Sequence, residues 1–188
     1  MITPNHLTGL RILIALASPL VLMWNRSLAS ELIVIFAFTI ACITDWWDGY
    51  LARKKSMVTW AGKIADPLAD KLLILGLMFT FASFRLYTIE WILPILMREL
   101  AVTVARLVSL RRGRVIPAEW AGKVKVGFQI GSIYATLVFL IAFDSGLFFE
   151  PEPIVLFVCQ SLHYAGIFLA TVVTIASGVI FFHRLGKA

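Results

Sequence analysis

The chain has 188 residues, of which 60% are hydrophobic, and a mean hydropathy of +0.90. Soluble domains are only about 45–50% apolar, and the apolar residues here fall in long runs, so the composition excludes an ordinary soluble domain and predicts a polytopic membrane protein. The net charge of +6 is the Lys/Arg excess expected of cytoplasmic loops, so we expect no nucleic acid as a partner.

Six apolar segments predict an all-α integral membrane protein with six transmembrane helices. In chain order they cover roughly residues 7–24, 30–53, 64–84, 88–110, 122–143 and 154–182. We expect residues 1–188 to form a single catalytic domain. The opening MITPNHLTGLR lacks a basic segment before its apolar run, so no cleavable signal peptide is expected. Cys42 and Cys159 both lie in apolar runs, which argues against a disulfide framework.

The basic residues of the connections alternate in density along the chain. One set of connections and the C-terminus hold Arg53, Lys54, Lys55, Lys63, Arg111, Arg112, Arg114, Lys123, Lys125, Arg184 and Lys187. The opposite set holds Arg26 and Arg85, together with the acidic Asp144, Glu150 and Glu152. The positive-inside rule therefore predicts that both termini are cytoplasmic. We expect a multi-pass protein of the bacterial inner membrane.

Two pairs of aspartates lie at helical spacing, one at the end of the second segment and one at the start of the third. Asp45 and Asp48 are three residues apart, and Asp66 and Asp70 are four apart, so each pair shares a helix face. Antiparallel helices joined by a short connection would bring the four carboxylates together, where they need cations. Oxygen ligands favour two Mg²⁺ ions, with Mn²⁺ as the alternative. Simple ion pairs with nearby lysines and arginines are the other interpretation.

Glycine and arginine accompany the aspartates. Gly49 and Gly62 lack a Cβ and allow a ligand to approach the backbone, although helix packing would favour the same residues. Arg53 offers a forked donor to phosphate, although it would also serve as a topology charge.

Together these residues form the pattern D-x2-D-G-x2-A-R-x8-G-x3-D-x3-D over residues 45–70. This pattern resembles the signature of the CDP-alcohol phosphotransferases, and the six-helix layout is similar to that family over nearly the whole chain. The resemblance implies transfer of a phosphate-linked alcohol from a CDP-alcohol to a second alcohol, with release of CMP. It implies that Asp45, Asp48, Asp66 and Asp70 bind two divalent metals and that Asp70 is also the general base.

The resemblance also implies a CDP-lipid site. Its positions in this chain are Gly49, Arg53, Thr59 and Gly62, with Asn5, Thr8 and Arg11 from an N-terminal P-N-x2-T-x2-R element that starts at Pro4. The N-terminal element has a plainer interpretation as a helix cap followed by a snorkelling arginine.

A second basic region points to the acceptor. Arg98 and Arg106 lie on roughly one face of the fourth segment, and arginines inside a span are costly unless they face a polar cavity. With Arg112, Lys123 and Lys125 they suit a phosphorylated acceptor, although topology charge would explain part of the cluster. The run M-R-E-x-A-V-T-x-x-R followed by W-x-G-K-x-K resembles the phosphatidylglycerophosphate synthase branch, which implies CDP-diacylglycerol and sn-glycerol 3-phosphate as substrates. Val126 stands where that branch usually has threonine.

Other functions remain open from the residues. A phosphatidylinositol-phosphate synthase would also take a phosphorylated alcohol, and a cardiolipin synthase of this family would take a lipid. A divalent-cation transporter would place the carboxylates near mid-membrane, whereas here they lie at helix ends beside glycine and arginine. A membrane scaffold gives no reason for converging aspartates. Helices bearing glycine and alanine also leave a homodimer open.

Overall fold

The computed structural model describes the backbone of residues 4–55, 60–111, 120–146 and 153–186, and side chains at 9–45, 70–109, 111, 120–146, 157–158 and 160–186. These residues form helices and no strand, as predicted. The helices are α1 (Pro4–Trp24), α2 (Leu28–Lys55), α3 (Trp60–Ser83), α4 (Ile89–Arg111), α5 (Trp120–Asp144) and α6 (Pro153–Leu185). Each agrees with one of the predicted segments to within a few residues, because long apolar runs bounded by polar connections define helices well in a membrane.

Among the described residues, three stretches are long and apolar enough to cross a membrane. They are Leu28–Asp45, Trp120–Asp144 and Gln160–Leu185, while Gly9–Trp24 is apolar but shorter. The helix α4 does not qualify because charged residues interrupt it, including Arg98, Glu99 and Arg106. Within the described part of the chain, length and composition therefore support three of the six predicted spans, and the six-span topology stays a prediction.

The chain divides into two compact units. The first unit comprises residues 1–80 and 140–149, and the second comprises residues 81–139 and 150–188. The prediction of a single catalytic domain stays a prediction.

In the first unit, α1 packs against α2 and approaches α3 closely. The buried apolar side chains include Leu22, Val34 and Phe38. A Cβ placed on Gly76 of α3 would lie 3.1 Å from the Pro19 Cγ of α1, so the missing side chain allows this approach.

The start of α2 is capped by Ser27 of the turn after α1 together with Ser30 of the first helical turn. The Ser30 amide donates to the Ser27 hydroxyl at 3.4 Å, and the Ser27 amide donates to the Ser30 hydroxyl at 3.0 Å. This reciprocal arrangement satisfies amides that a helix N-terminus leaves unpaired, as in a capping box. It orients the next residue, Glu31, which is completely buried.

In the second unit, α4 packs against α6. The Thr171 hydroxyl of α6 donates to the Trp91 carbonyl of α4 at 3.0 Å, and Ile92, Ile95 and Ile167 are buried in this unit.

A buried polar network crosses the same unit. The Tyr87 hydroxyl donates to the Ser132 carbonyl at 3.0 Å and lies 2.6 Å from the Thr136 hydroxyl, which lies 3.2 Å from Nδ1 of His163. Burial raises the pKa of Tyr87 to about 12, against smaller opposing effects of its hydrogen bonds. The hydroxyl therefore stays protonated and keeps its donor role at neutral pH.

Candidate active site

The first unit buries one arginine against two of the predicted aspartates. Arg11 of α1 is 1% exposed, and its Nη1 lies 3.0 Å from Oδ1 of Asp45 and 3.5 Å from Oδ1 of Asp70. Asp45 belongs to α2 and Asp70 to α3. One guanidinium group therefore connects three helices at the level of the aspartate motif.

Arg11 and its two aspartate partners differ in their exposure to solvent. The Arg11 side chain is buried, whereas the side chains of Asp45 and Asp70 are 51% and 41% exposed. A buried cation needs paired anions, so the carboxylates neutralise Arg11 on one side. Their exposure on the other side leaves them accessible to a ligand or a divalent ion.

The carboxylates fit a divalent cation in their chemistry. An oxygen of Asp45 and one of Asp70 lie within 3.5 Å of the same Arg11 nitrogen, so carboxylates from two helices lie near each other beside the guanidinium group. Carboxylate oxygens are the ligands that Mg²⁺ and Mn²⁺ prefer. Within the described side chains, no three His, Cys, Asp or Glu residues form a metal-binding group.

The other predicted ligands lie on the same helices. Asp48 is one turn after Asp45 in α2, and Asp66 is one turn before Asp70 in α3, with side chains outside those described. The same applies to the predicted CDP-lipid positions on α1, α2 and α3, which are Asn5, Thr8, Gly49, Arg53 and Gly62. Thr59 and Arg112 lie outside the described residues altogether.

The second unit brings together two of the residues predicted for the acceptor, Arg98 and Lys125. The Glu99 carboxylate of α4 pairs with Nη1 of Arg98 at 3.3 Å and with Nζ of Lys125 from α5. Arg106, two turns after Arg98, lies with its Cζ 5.6 Å from the centre of the Phe181 ring. Lys123 is exposed in the first turn of α5.

Two basic side chains of this group meet at one carboxylate in a largely buried setting. Glu99 and Lys125 are almost completely buried, at 7% and 6% exposure. Among the described side chains, Arg98 and Lys125 both pair with the Glu99 carboxylate, and Arg106 is a further cation of the same unit. Guanidinium and ammonium groups held in a poorly hydrated setting are donors suited to an anion with several acceptor oxygens, such as a phosphate ester.

Sequence reasoning missed two features of the first unit. It placed Arg11 in the lipid site without its contacts to Asp45 and Asp70, which no local pattern reveals. It also passed over Glu31, whose Oε1 lies 3.4 Å from Nε of Arg26, while Arg26 Nη2 donates to Oδ1 of Asp144 at 3.0 Å. An acidic residue next to a long apolar run was the available signal for Glu31.

The sequence of the chain is similar to those of known phosphatidyltransferases. The family model for CDP-alcohol phosphatidyltransferase matches residues 1–176. A CDP-diacylglycerol–glycerol-3-phosphate 3-phosphatidyltransferase of Bacillus subtilis (strain 168) is 43% identical over 107 residues, which cover 57% of this chain and 55% of that protein. A probable phosphatidylglycerophosphate synthase of Mycobacterium tuberculosis (strain ATCC 25618 / H37Rv) is 37% identical over 174 residues, covering 90% of this chain and 76% of that protein. The chain thus spans about half the length of the first relative and about three quarters of the second.

Proposed function

Because the chain belongs to the CDP-alcohol phosphatidyltransferase family, we propose that it transfers the phosphatidyl group of CDP-diacylglycerol to sn-glycerol 3-phosphate. The products are phosphatidylglycerol phosphate and CMP. The main support is the mycobacterial relative, which is named as a probable phosphatidylglycerophosphate synthase and is 37% identical over 90% of this chain.

The reaction assigns a role to each part of the aspartate motif. Asp70 takes the proton of the acceptor hydroxyl, whose oxygen bonds to the phosphatidyl phosphorus as the bond to CMP breaks. Asp45, Asp48, Asp66 and Asp70 hold two divalent ions, most simply Mg²⁺, which supply neutralisation of charge on the leaving CMP. Arg11 keeps Asp45 and Asp70 together, and its distances of 3.0 and 3.5 Å to them support this role.

The CDP-lipid and acceptor roles follow the same proposal. Gly49 and Gly62 leave room for the nucleotide end of the lipid, and Arg53, Thr59, Asn5 and Thr8 contact it. Arg98, Arg106, Arg112, Lys123 and Lys125 bind the phosphate of the acceptor. Arg98 and Lys125 meet at the Glu99 carboxylate, and two cationic donors at one place support a phosphorylated acceptor over a neutral one.

The proposal includes a topology. Six spans place both termini and the aspartate motif on the cytoplasmic side of the inner membrane, where soluble sn-glycerol 3-phosphate reaches a lipid substrate. The basic connections support this orientation. A homodimer stays a prediction.

An acceptor panel tests the function. Purified protein receives CDP-diacylglycerol, Mg²⁺ and one acceptor at a time: sn-glycerol 3-phosphate, glycerol, myo-inositol phosphate or phosphatidylglycerol. We expect CMP only with sn-glycerol 3-phosphate, loss of CMP release when EDTA removes the metal, and recovery with added Mg²⁺. CMP release only with myo-inositol phosphate would overturn the acceptor, and no CMP with any alcohol would overturn the transferase.

A further inference from the structure

The C-terminal half of α6 contacts Arg98 and Arg106 of the second unit. The relevant residues are Gly178 and Phe181, and both are buried. The family match ends at residue 176, so neither residue belongs to the matched segment. Their contacts nevertheless reach Arg98 and Arg106, the two arginines of α4 that the proposed function assigns to the acceptor.

Gly178 makes room for the side chain of Arg98. A Cβ placed on Gly178 would lie 2.9 Å from Cγ of Arg98 and 3.7 Å from its Nε, and the first distance is shorter than carbon atoms tolerate. Because Cγ is close to the arginine backbone, it cannot move without rotation about χ1 or a shift of the helix, and either change carries the guanidinium group with it. Any side chain at position 178 would therefore displace the Arg98 nitrogen that pairs with Glu99.

Phe181 lies one turn beyond Gly178 and supports the second arginine. Its ring is 2% exposed, and its centre is 5.6 Å from Cζ of Arg106, a distance at which a guanidinium group and an aromatic ring attract each other. The Arg106 Nε atom is buried and has no hydrogen-bond partner among the described residues. The ring therefore holds the arginine by its face and leaves the guanidinium edge available for an anion.

A hydrogen bond between α5 and α6 sets the register of this arrangement. The Gln129 amide donates to the Thr174 hydroxyl at 3.1 Å, and both side chains are buried. Gln129 is one turn after Lys125, and Thr174 is one turn before Gly178. The bond thus fixes the register of α6 against α5. It lies one turn from Lys125, which pairs with Glu99 as Arg98 does.

We propose that Gly178 and Phe181 are positioning residues for the acceptor phosphate: they hold the guanidinium groups of Arg98 and Arg106 in the orientation that binds it. The proposal rests on the proposed function for the identity of the acceptor. Neither residue touches the substrate; Gly178 acts through space that it leaves empty, and Phe181 acts through the face of its ring.

Steady-state kinetics of single variants test the proposal first. We expect Gly178→Ala and Phe181→Leu each to raise the KM for sn-glycerol 3-phosphate about tenfold, which is the loss of roughly one charge-assisted hydrogen bond. The KM for CDP-diacylglycerol and kcat at saturating acceptor should stay near wild type. Phe181→Tyr keeps the ring and should restore the acceptor KM.

Matched variants on the same helix serve as controls. Gly166→Ala adds a Cβ that would lie 3.4 Å from the Ser132 Cα, far from any described arginine contact. Phe157→Leu removes another phenylalanine of α6, which is 69% exposed. Neither control should change the acceptor KM.

A double-mutant cycle separates positioning from general damage to the helix. If Gly178 acts through Arg98, then Gly178→Ala should add nothing in an Arg98→Ala background, and Phe181→Leu should add nothing in an Arg106→Ala background. Additive losses would overturn the proposal, as would equal losses for both substrates or unchanged acceptor KM values.

Direct binding keeps this proposal distinct from the proposed function. Calorimetric titration of sn-glycerol 3-phosphate into the purified protein should show binding to wild type and Gly166→Ala and weakened binding to Gly178→Ala. If wild type binds but does not release CMP, the proposed function fails and the positioning roles stand. If wild type turns over and Gly178→Ala binds equally well, the positioning roles fail and the function stands.

Discussion

Arg11 shows how one residue takes on a role that its neighbours in sequence do not reveal. Its guanidinium group is 1% exposed and pairs with Asp45 and Asp70. Removing such a buried cation would leave two carboxylates to repel each other, whereas removing one carboxylate leaves the arginine with the other. Arg11 is therefore both a structural connection of three helices and a fixed positive charge at the proposed reaction centre.

Asp70→Asn tests the proposed base at the residue scale. The amide still accepts a hydrogen bond from Arg11 but cannot take a proton, so we expect CMP release to fall by at least about 100-fold. Binding of CDP-diacylglycerol, measured by equilibrium binding to the purified variant, should persist. Glu90→Gln, which neutralises an exposed acid in the first turn of α4, is the control. Loss of lipid binding together with turnover would mean that Asp70 is mainly a metal ligand.

Arg85 occupies a backbone conformation that favours glycine. Its φ is 60°, and it follows α3 in a turn where the Arg85 amide donates to the Ala82 carbonyl and the Leu86 amide to the Phe81 carbonyl, both at 2.9 Å. This is the hydrogen-bond pattern of a Schellman motif, in which the left-handed residue is usually glycine.

Arg85→Gly should therefore stabilise the protein by about 0.5–1 kcal/mol, because it removes the strain of a Cβ at positive φ. The measurement is the apparent melting temperature in detergent. Arg85→Ala, which removes the charge but keeps the Cβ, is the matched variant and should give no gain. Equal gains from both would point to charge rather than backbone strain.

At the scale of the elements, charged side chains that are unfavourable inside a membrane lie near the ends of the helices. The α1–α2 turn supplies Arg26, α2 supplies the buried Glu31, and the end of α5 supplies Asp144. Arg26 lies 3.4 Å from one carboxylate and 3.0 Å from the other. A single cation thus ties the end of α5 to the α1–α2 hairpin.

Arg26→Ala should destabilise the first unit by roughly 1–3 kcal/mol, because it leaves a buried carboxylate without its cation. Adding Glu31→Gln to the same protein removes the buried charge and should recover most of the loss, as measured by the apparent melting temperature. If the double variant is no more stable than Arg26→Ala alone, the loss does not arise from the charge of Glu31.

At the scale of the whole molecule, the helices and the charges predict one orientation in the membrane. The 25 residues of α5 span about 37 Å at the rise of an α-helix, enough to cross a bilayer core. Lys123 and Ser145 lie at its two ends, and both are exposed. They offer a matched pair of positions for testing which side each end faces.

Cysteine labelling in spheroplasts makes that test. In a background of Cys42→Ser and Cys159→Ser, Ser145→Cys should react with a membrane-impermeant maleimide in intact spheroplasts, because the positive-inside rule places that end outside. Lys123→Cys should react only after permeabilisation. The reverse pattern would invert the topology, and labelling of both positions in intact cells would contradict a span.

Several particulars follow from sequence alone because they depend on local physics. The six helices arise from long apolar runs. In a membrane such runs fold as helices, because a helix satisfies all backbone hydrogen bonds within the segment. The spacing of Asp45 with Asp48 and of Asp66 with Asp70 assigns each pair to a helix face, since that depends only on 3.6 residues per turn. The same motif, read along residues 45–70, indicated the family to which the chain belongs.

Local sequence patterns did not predict the contacts between residues that are distant in the chain. The pairing of Arg11 with Asp70 joins positions 59 residues apart, and that of Arg26 with Asp144 joins positions 118 apart. Gly178 looked like any small residue of a membrane helix until the fold placed Arg98 against it. The sequence by itself determined the helices, the shared helix faces of the aspartate pairs and the family of the chain. Only the tertiary structure decided which cation neutralises which carboxylate, because that depends on how separate helices pack and on which charges their packing removes from water.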